Sequence, residues 1–329
     1  MLNRLLWSSV ESQLFSNFVT YLEQMDRPQA NYLRVLTYHR LESPQLFDAQ
    51  MHYLAEHYEV ISMQDLVDAY QRGKSLSPRA AMVTFDDAYC DFAEEAWPIL
   101  KRYQLPVTLF VPTAYPDHPE RLFWWDRLYA SVTKTARLDA LDTEIGRLPL
   151  ATAKERSQTY KRLRNYVKSL PHQTAMVWID QICDTLGAPL NNNDVLGWAA
   201  LRQLAKEGVT LGVHTQTHPL MNRIAPEQMR REAEGALHDL MREIGNVLPV
   251  FAYPSGGFNA AAIQVLEDLG FIAAFTTLRG INEVGKDHRL CLRRINVGQR
   301  TSLAVLRAQL LSWSVYLNRD APVQSSETF

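Results

Sequence analysis

Cysteine is scarce in this chain of 329 residues: Cys90, Cys183 and Cys291 stand far apart, with no CxxC pair. An odd, scattered set builds neither a disulfide framework nor a cysteine zinc site, so a reducing compartment is the simpler expectation. An excess of one charge is lacking too. The formal net charge is −2, which gives no global field to gather nucleic acid or an anionic membrane, and no nucleic-acid partner is expected. No apolar run approaches the roughly 20 residues of a membrane span. At the start, MLNRLLWSSVESQLF is interrupted by Ser and Glu before a signal-peptide core forms, so the expected location is cytoplasmic. Residues 1–25 pattern instead as an amphipathic helix bearing Leu6, Trp7, Leu14, Phe15 and Phe18. It reads first as a helix docked on its own domain and second as a peripheral membrane anchor. Repeats and low-complexity tracts are absent. The oligomeric state is left open.

What is present is a 47% apolar, 21% charged chain in which short apolar strands alternate with amphipathic helices, the pattern of an α/β fold. Strands are predicted at 34–39, 80–85, 107–111, 209–213, 250–253, 271–277 and 291–297. Helices are predicted near 46–57, 63–72, 226–244, 260–269 and 302–318, with Ser62 capping the second and Gly73 stopping it. The segment EEAWPILKRY is a further helix, kinked or started by Pro98. Between 113 and 200 the alternation stops, and polar helical segments rich in Lys, Arg and Gln read as a helical insertion without a core of its own. The expected architecture is an incomplete or distorted (β/α) barrel of about seven strands. An N-terminal helical segment 1–30 precedes the barrel domain 31–318, and a polar tail 319–329 follows it. A barrel is favoured over a doubly wound sheet because polar residues sit at several strand ends, where barrel chemistry gathers.

Three of those strand ends carry chemistry. TFDD (84–87) sets two carboxylates directly after a strand. Helix capping is the bland explanation; the functional one is a division of labour, one carboxylate binding metal and its neighbour free as a base. HTQTH (214–218) follows VTLGV and precedes Pro219, which favours a loop over a helix. It lacks the Glu of a zinc-protease HExxH. Two neutral imidazoles and a carboxylate suit zinc or another divalent first-row ion. FAYPSGGFN (251–259) is a tight turn whose backbone can approach a ligand, or an ordinary connection. Cys90 reads as a small buried residue, not a nucleophile.

Taken in order, TYHR, TFDD, HTQTH with Pro219, FAYPSGG and LRRINV resemble the polysaccharide deacetylases, carbohydrate esterase family four. The resemblance spans roughly 34–112 and 198–300, and is nearest to a branch associated with bacterial exopolysaccharide and surface-glycan gene products. It implies a metal-dependent hydrolase that removes N-acetyl groups from acetamido sugars of a polysaccharide or glycan precursor. It implies Asp86 as the general base and Asp87, His214 and His218 as ligands of a divalent metal, zinc by preference. It also implies an oxyanion site in the turn Tyr253, Pro254, Ser255, with the N–H of Ser255 as donor. The chain departs from the pattern at Ala252, where many members carry an Arg that pairs with the catalytic Asp, at Ser255, usually aromatic, and at Ala88, usually Gly. The late motif with a catalytic His is not recognisable, and LRRINV stands in its region. Arg293 and Arg294 alternate across that strand, so one should face the barrel interior. The LxRI pattern of the resembling branch implies Arg294 as the replacement for the missing Arg beside Asp86, the alternative being that both arginines pair with surface carboxylates. His39, also at a strand end, is expected to contact substrate or metal-bound water, a packed His being the alternative. Phe123, Trp124, Trp125 and Asp126 form either a sugar-stacking platform or the packing of the insertion on the barrel. Two other readings remain: a catalytically inactive glycan-binding or assembly protein on the same fold, and a different metal-dependent amidohydrolase or esterase.

Overall fold

In the computed structural model, which describes residues 13–190 and 193–313, the strands are β1 (Tyr32–Tyr38), β2 (Glu59–Val60), β3 (Ala80–Phe85), β4 (Val107–Val111), β5 (Ala140–Thr143), β6 (Gly146–Pro149), β7 (Thr210–Val213), β8 (Val250–Ala252), β9 (Ala273–Arg279), β10 (Asn282–Glu283) and β11 (Leu292–Asn296). Seven of them lie parallel in the order β1, β11, β9, β8, β7, β4, β3, and β3 pairs back onto β1 from Arg34–Ala81 to Tyr38–Phe85. The barrel is therefore closed rather than incomplete. Its distortion is a register shift between Leu292 and Arg294, where β11 meets β9. Neither β2 nor β10 is foreseen from the sequence, because two residues are too few to show a period.

Strands β1, β3 and β4 are buried at every position. One face fills the barrel and the other meets the helix layer, which is why these runs are apolar without alternation. The helices over them start on strong local signals. Ser43 accepts from the N–H of Leu46 ahead of helix Pro44–His57. Ser62 and Asp65 cap helix Met63–Arg72 reciprocally, and Gly73, at φ +68°, ends it. Leu54, Met51 and Phe47 of the first helix are almost fully buried; each such side chain contributes about 1.5–3 kcal/mol. The segment around Pro98 is a π-type turn, Phe92–Ala96, followed by the short helix Trp97–Arg102. Pro98 falls in that helix's first turn, where its missing N–H is not needed.

The insertion differs from expectation in two ways. Besides helices Trp124–Lys134, Ala153–Ser169 and His172–Leu186 it contains the antiparallel hairpin β5–β6. It also buries its own apolar cluster, including Leu128, Leu148, Leu163, Trp178 and Ile179, separate from the barrel's. The next helix, Trp198–Lys206, buries Trp198, Leu201 and Leu204 in the barrel cluster.

At the opposite end of the barrel from the motif-bearing loops, Arg34 is fully buried. It donates to the carbonyl of Leu310 (2.6 Å) and to Ser312 Oγ (2.9 Å), and Ser312 in turn bonds Asp26. Helix Gln13–Met25 docks beside helix Leu303–Leu310 through Glu23 and Arg307. The expected tail 319–329, residues 1–12 of the N-terminal segment and the end of the last predicted helix lie outside the described residues.

Candidate active site at the carboxyl ends of the strands

The loops after β1, β3, β7 and β8 bring the motif residues to one mouth. Asp87, just past β3, and His214 and His218, just past β7, are buried. Asp87 Oδ1 lies 3.4 Å from His214 Nε2 and 3.3 Å from His218 Nε2, and it has no hydrogen-bond partner. A buried carboxylate oxygen left open between two imidazole nitrogens is a donor set that fits a divalent first-row ion. The Nδ1 of His214 lies 2.7 Å from the carbonyl of Ala252; donating there fixes the tautomer that leaves Nε2 free. Burial pushes the His218 pKa down, the direction that favours the neutral ring a ligand requires, whereas at His214 burial is outweighed by the Asp87 and Asp86 carboxylates, which raise it.

Asp86 sits beside this set and is equally buried. Arg294, from β11, grips it with two prongs: Nη1 to Oδ1 at 2.8 Å and Nη2 to Oδ2 at 2.6 Å. The Arg294 Nε–H is anchored on the carbonyl of Thr276, 2.8 Å away. Burial pushes the Asp86 carboxyl up, but the Arg294 charge, with His214 and His39, overcomes it and holds the group below the usual range. Arg293 points elsewhere; its backbone N–H donates to Asn282 Oδ1. His39 follows β1, with Nε2 3.8 Å from Asp86 Oδ2 and its side chain 48% exposed.

The turn after β8 corrects one expectation. Tyr253 is fully buried, its hydroxyl donates to the carbonyl of Leu290, and its N–H is taken by the carbonyl of Phe275. It is therefore not a substrate contact. Pro254 is buried and has no N–H. Ser255 alone of the three lines the cavity beside Asp87 and His218. It does so at φ +50°, and Asp87 (φ 71°), Ala88 (φ 53°), Thr215 (φ 62°) and His218 (φ 61°) share the left-handed region. Side-chain-bearing residues enter that region at a cost of about 1–2 kcal/mol each.

The cavity, about 230 Å³, is lined by His39, Asp87, His218 and Ser255 from the barrel. Trp124, Trp125, Tyr160, Arg164 and Lys168 of the insertion complete it. Trp125 meets the His218 ring edge-on at 4.6 Å, and Phe123 stacks between Trp125 and Tyr115. Asp126 faces Arg40 and Tyr89. The aromatic group thus packs the insertion onto the loop that carries His218, and its two Trp residues also form cavity wall. Cys90 is half-buried and turned to Asp194; burial and that carboxylate push its thiol up to about 11, so it supplies no thiolate. Sequence reasoning missed Glu232, from helix Pro226–Ile244. It accepts from the N–H groups of Gln216 and Thr217 (2.9 and 2.8 Å) and from Thr217 Oγ1 (2.6 Å), clamping the loop between the two His. It also missed Arg164 and Lys168.

These features define a closed (β/α) barrel with a buried donor set that could hold a metal ion at the carboxyl ends of its strands. Residues 73–274 match the family profile described as polysaccharide deacetylase, and the chain belongs to that family. A candidate polysaccharide deacetylase of Bacillus subtilis (strain 168), YxkH, is 18% identical over 256 residues. That match covers 75% of this chain, which spans 65% of the length of that relative. Among solved structures, the Streptococcus pyogenes deacetylase PplD in complex with acetate is 19% identical, with a TM-score of 0.58 over 86% of this chain and 99% of that one. IcaB from Ammonifex degensii is 19% identical, with a TM-score of 0.53 over 85% and 97%. Both share the fold.

Proposed function

We propose that this protein hydrolyses the N-acetyl group of acetamido sugars in a polysaccharide or glycan precursor, with Asp86 as general base. The observation that supports this most is the buried two-pronged Arg294–Asp86 pair set against Asp87, His214 and His218. Asp87, His214 and His218 would hold a divalent ion, zinc by donor chemistry, which would supply Lewis-acid polarisation of an amide carbonyl and acidify a water toward neutrality. Arg294 keeps Asp86 ionised at neutral pH and fixed in orientation, so Asp86 can take the proton of a water as its oxygen adds to the acetyl carbon. The N–H of Ser255, at the cavity wall, is assigned to the developing oxyanion. As the C–N bond breaks, acetate leaves and the sugar amine takes a proton. We assign the relay of that proton to His39, whose exposed ring has Nε2 3.8 Å from Asp86 Oδ2. The similar PplD holds acetate, the product such a reaction releases.

The test is acetate release from N-acetylglucosamine oligomers by the full chain. Release should stop with a chelator and return with zinc. Asp86→Asn, nearly isosteric but unable to accept a proton at neutral pH, should slow it by about 10²- to 10⁴-fold with metal content retained. Undiminished turnover in Asp86→Asn would sink the assignment of the base.

A further inference from the structure

Helix Ala153–Ser169 places Tyr160, Arg164 and Lys168 at successive four-residue steps, so one face of the insertion turns all three toward the cavity. Two like charges four apart on a helix oppose its formation, and neither is neutralised. Among the described residues no carboxylate lies within the 4.0 Å of an ion pair from Arg164 or Lys168. Arg164 Nε is buried without a hydrogen-bond partner. The other carboxylates of the mouth are committed elsewhere: Asp86 to Arg294, Asp126 to Arg40 and Tyr89, and Asp87 to the metal set. Burial and the Arg164 charge push the Lys168 ammonium down, and the Asp87 charge offsets them only in part.

We propose that Arg164 and Lys168 form an anion subsite beside the metal set, so that the glycan deacetylated here carries a carboxylate or phosphate on or next to the acetamido sugar. The inference rests on the deacetylase reading above and names its substrate class. Arg164 rests against the Tyr160 ring, 5.7 Å from its centroid, but a neutral acetamido polymer would give neither half-buried cation a counter-charge. An anionic group would give each a charge-assisted hydrogen bond. The Trp124 and Trp125 rings on the same wall are placed to support the sugar ring between that anion and the metal set.

The test uses the zinc-loaded full chain and three substrates: neutral di-N-acetylchitobiose, a disaccharide of glucuronic acid and N-acetylglucosamine, and N-acetylglucosamine phosphate. At least one anionic substrate should be preferred in kcat/KM by about tenfold or more, the gain expected of one charge-assisted bond. Which one is preferred decides between carboxylate and phosphate. In Arg164→Met/Lys168→Met, with zinc content and melting temperature checked, the anionic-to-neutral ratio should fall to about one. Arg164→Lys and Lys168→Arg should keep most of it. Equal turnover of all three substrates, or a preference that survives the double variant, overturns the subsite and leaves the deacetylase reading intact. Calorimetric binding of the same sugars gives a readout independent of turnover. If no substrate releases acetate while an anionic sugar binds in an Arg164- and Lys168-dependent way, the deacetylase reading falls and the subsite stands. Binding indifferent to both residues overturns the subsite.

Discussion

At the scale of single residues, the Arg294–Asp86 pair is the most consequential contact in the molecule. Both partners are buried, and removing one partner of such a pair leaves an uncompensated charge, at a cost of about 3–5 kcal/mol. Arg294→Met is therefore expected to lower both the melting temperature and acetate release. Arg294→Lys should recover charge but not the two-pronged grip, and so only part of the activity. Arg293→Met should be mild, since Arg293 meets Asn282 through its backbone. A thermal melt and a turnover assay on the three variants decide the point: equal effects of the two Met variants would refute the difference in role. Alternation along a strand says only that one of the adjacent arginines should face the barrel interior; the choice of Arg294 rests on the LxRI pattern of the resembling family branch. The fate of Tyr253 was not legible in the same way. A residue beside a functional turn can face the core, and nothing in its spacing says which way it turns.

At the scale of elements, the legible parts were those with strong local signals. Strand β4 and helix Pro226–Ile244 fall where periodicity places them, and Ser62 and Gly73 bound their helix as expected. The hairpin β5–β6 escaped because its four-residue strands, half-exposed between long polar helices, show no clear alternation. Glu232 escaped for a different reason: on its helix it is one acid among several, and only the tertiary fold shows which acid meets the HTQTH loop. Its loss should be felt at the metal. Glu232→Gln keeps the shape but weakens three hydrogen bonds to the ligand loop, and zinc affinity should fall by about 10- to 100-fold in a competition titration. The turn after β8 is less forgiving. A Cβ at Gly256, at φ +69°, would lie 1.9 Å from Thr277 Oγ1 and 2.8 Å from the Thr277 backbone nitrogen. Gly256→Ala should cost about 1–3 kcal/mol and displace Ser255. Far from the mouth, Glu23 joins the first described helix to the last. Burial raises its pKa, but Arg307 and Tyr53 more than offset that, and the folded value is depressed. Stability from this contact is complete above the ordinary glutamate value, about 4.3, and drains away as pH falls through the lower folded value. Glu23→Gln should lose stability at pH 7 and show a flatter acid limb in melts between about pH 5 and 3.

At the scale of the whole molecule, the insertion's apolar cluster is distinct from those of the barrel, and the cavity is lined from both sides. The insertion's cluster packs onto the barrel through the Phe123–Trp125 group, so hydrogen exchange should show the insertion opening as its own unit, at lower free energy than the barrel strands. Barrel amides exchanging together with those of helix Ala153–Ser169 would argue for a single unit. The distribution of backbone strain is just as uneven. Among the described residues, eight that bear side chains lie in the left-handed region: Asp87, Ala88, Thr215, His218 and Ser255 surround the mouth, while Asn31, Gln104 and Asp117 are spread over the rest. Stability and turnover should therefore pull apart at this one place. Ser255 is exposed, and Ser255→Gly should gain up to about 1 kcal/mol in a melt by releasing its backbone, while acetate release falls as the turn loosens. A selection for heat resistance alone would drift toward glycine at the mouth and return sturdier, slower proteins.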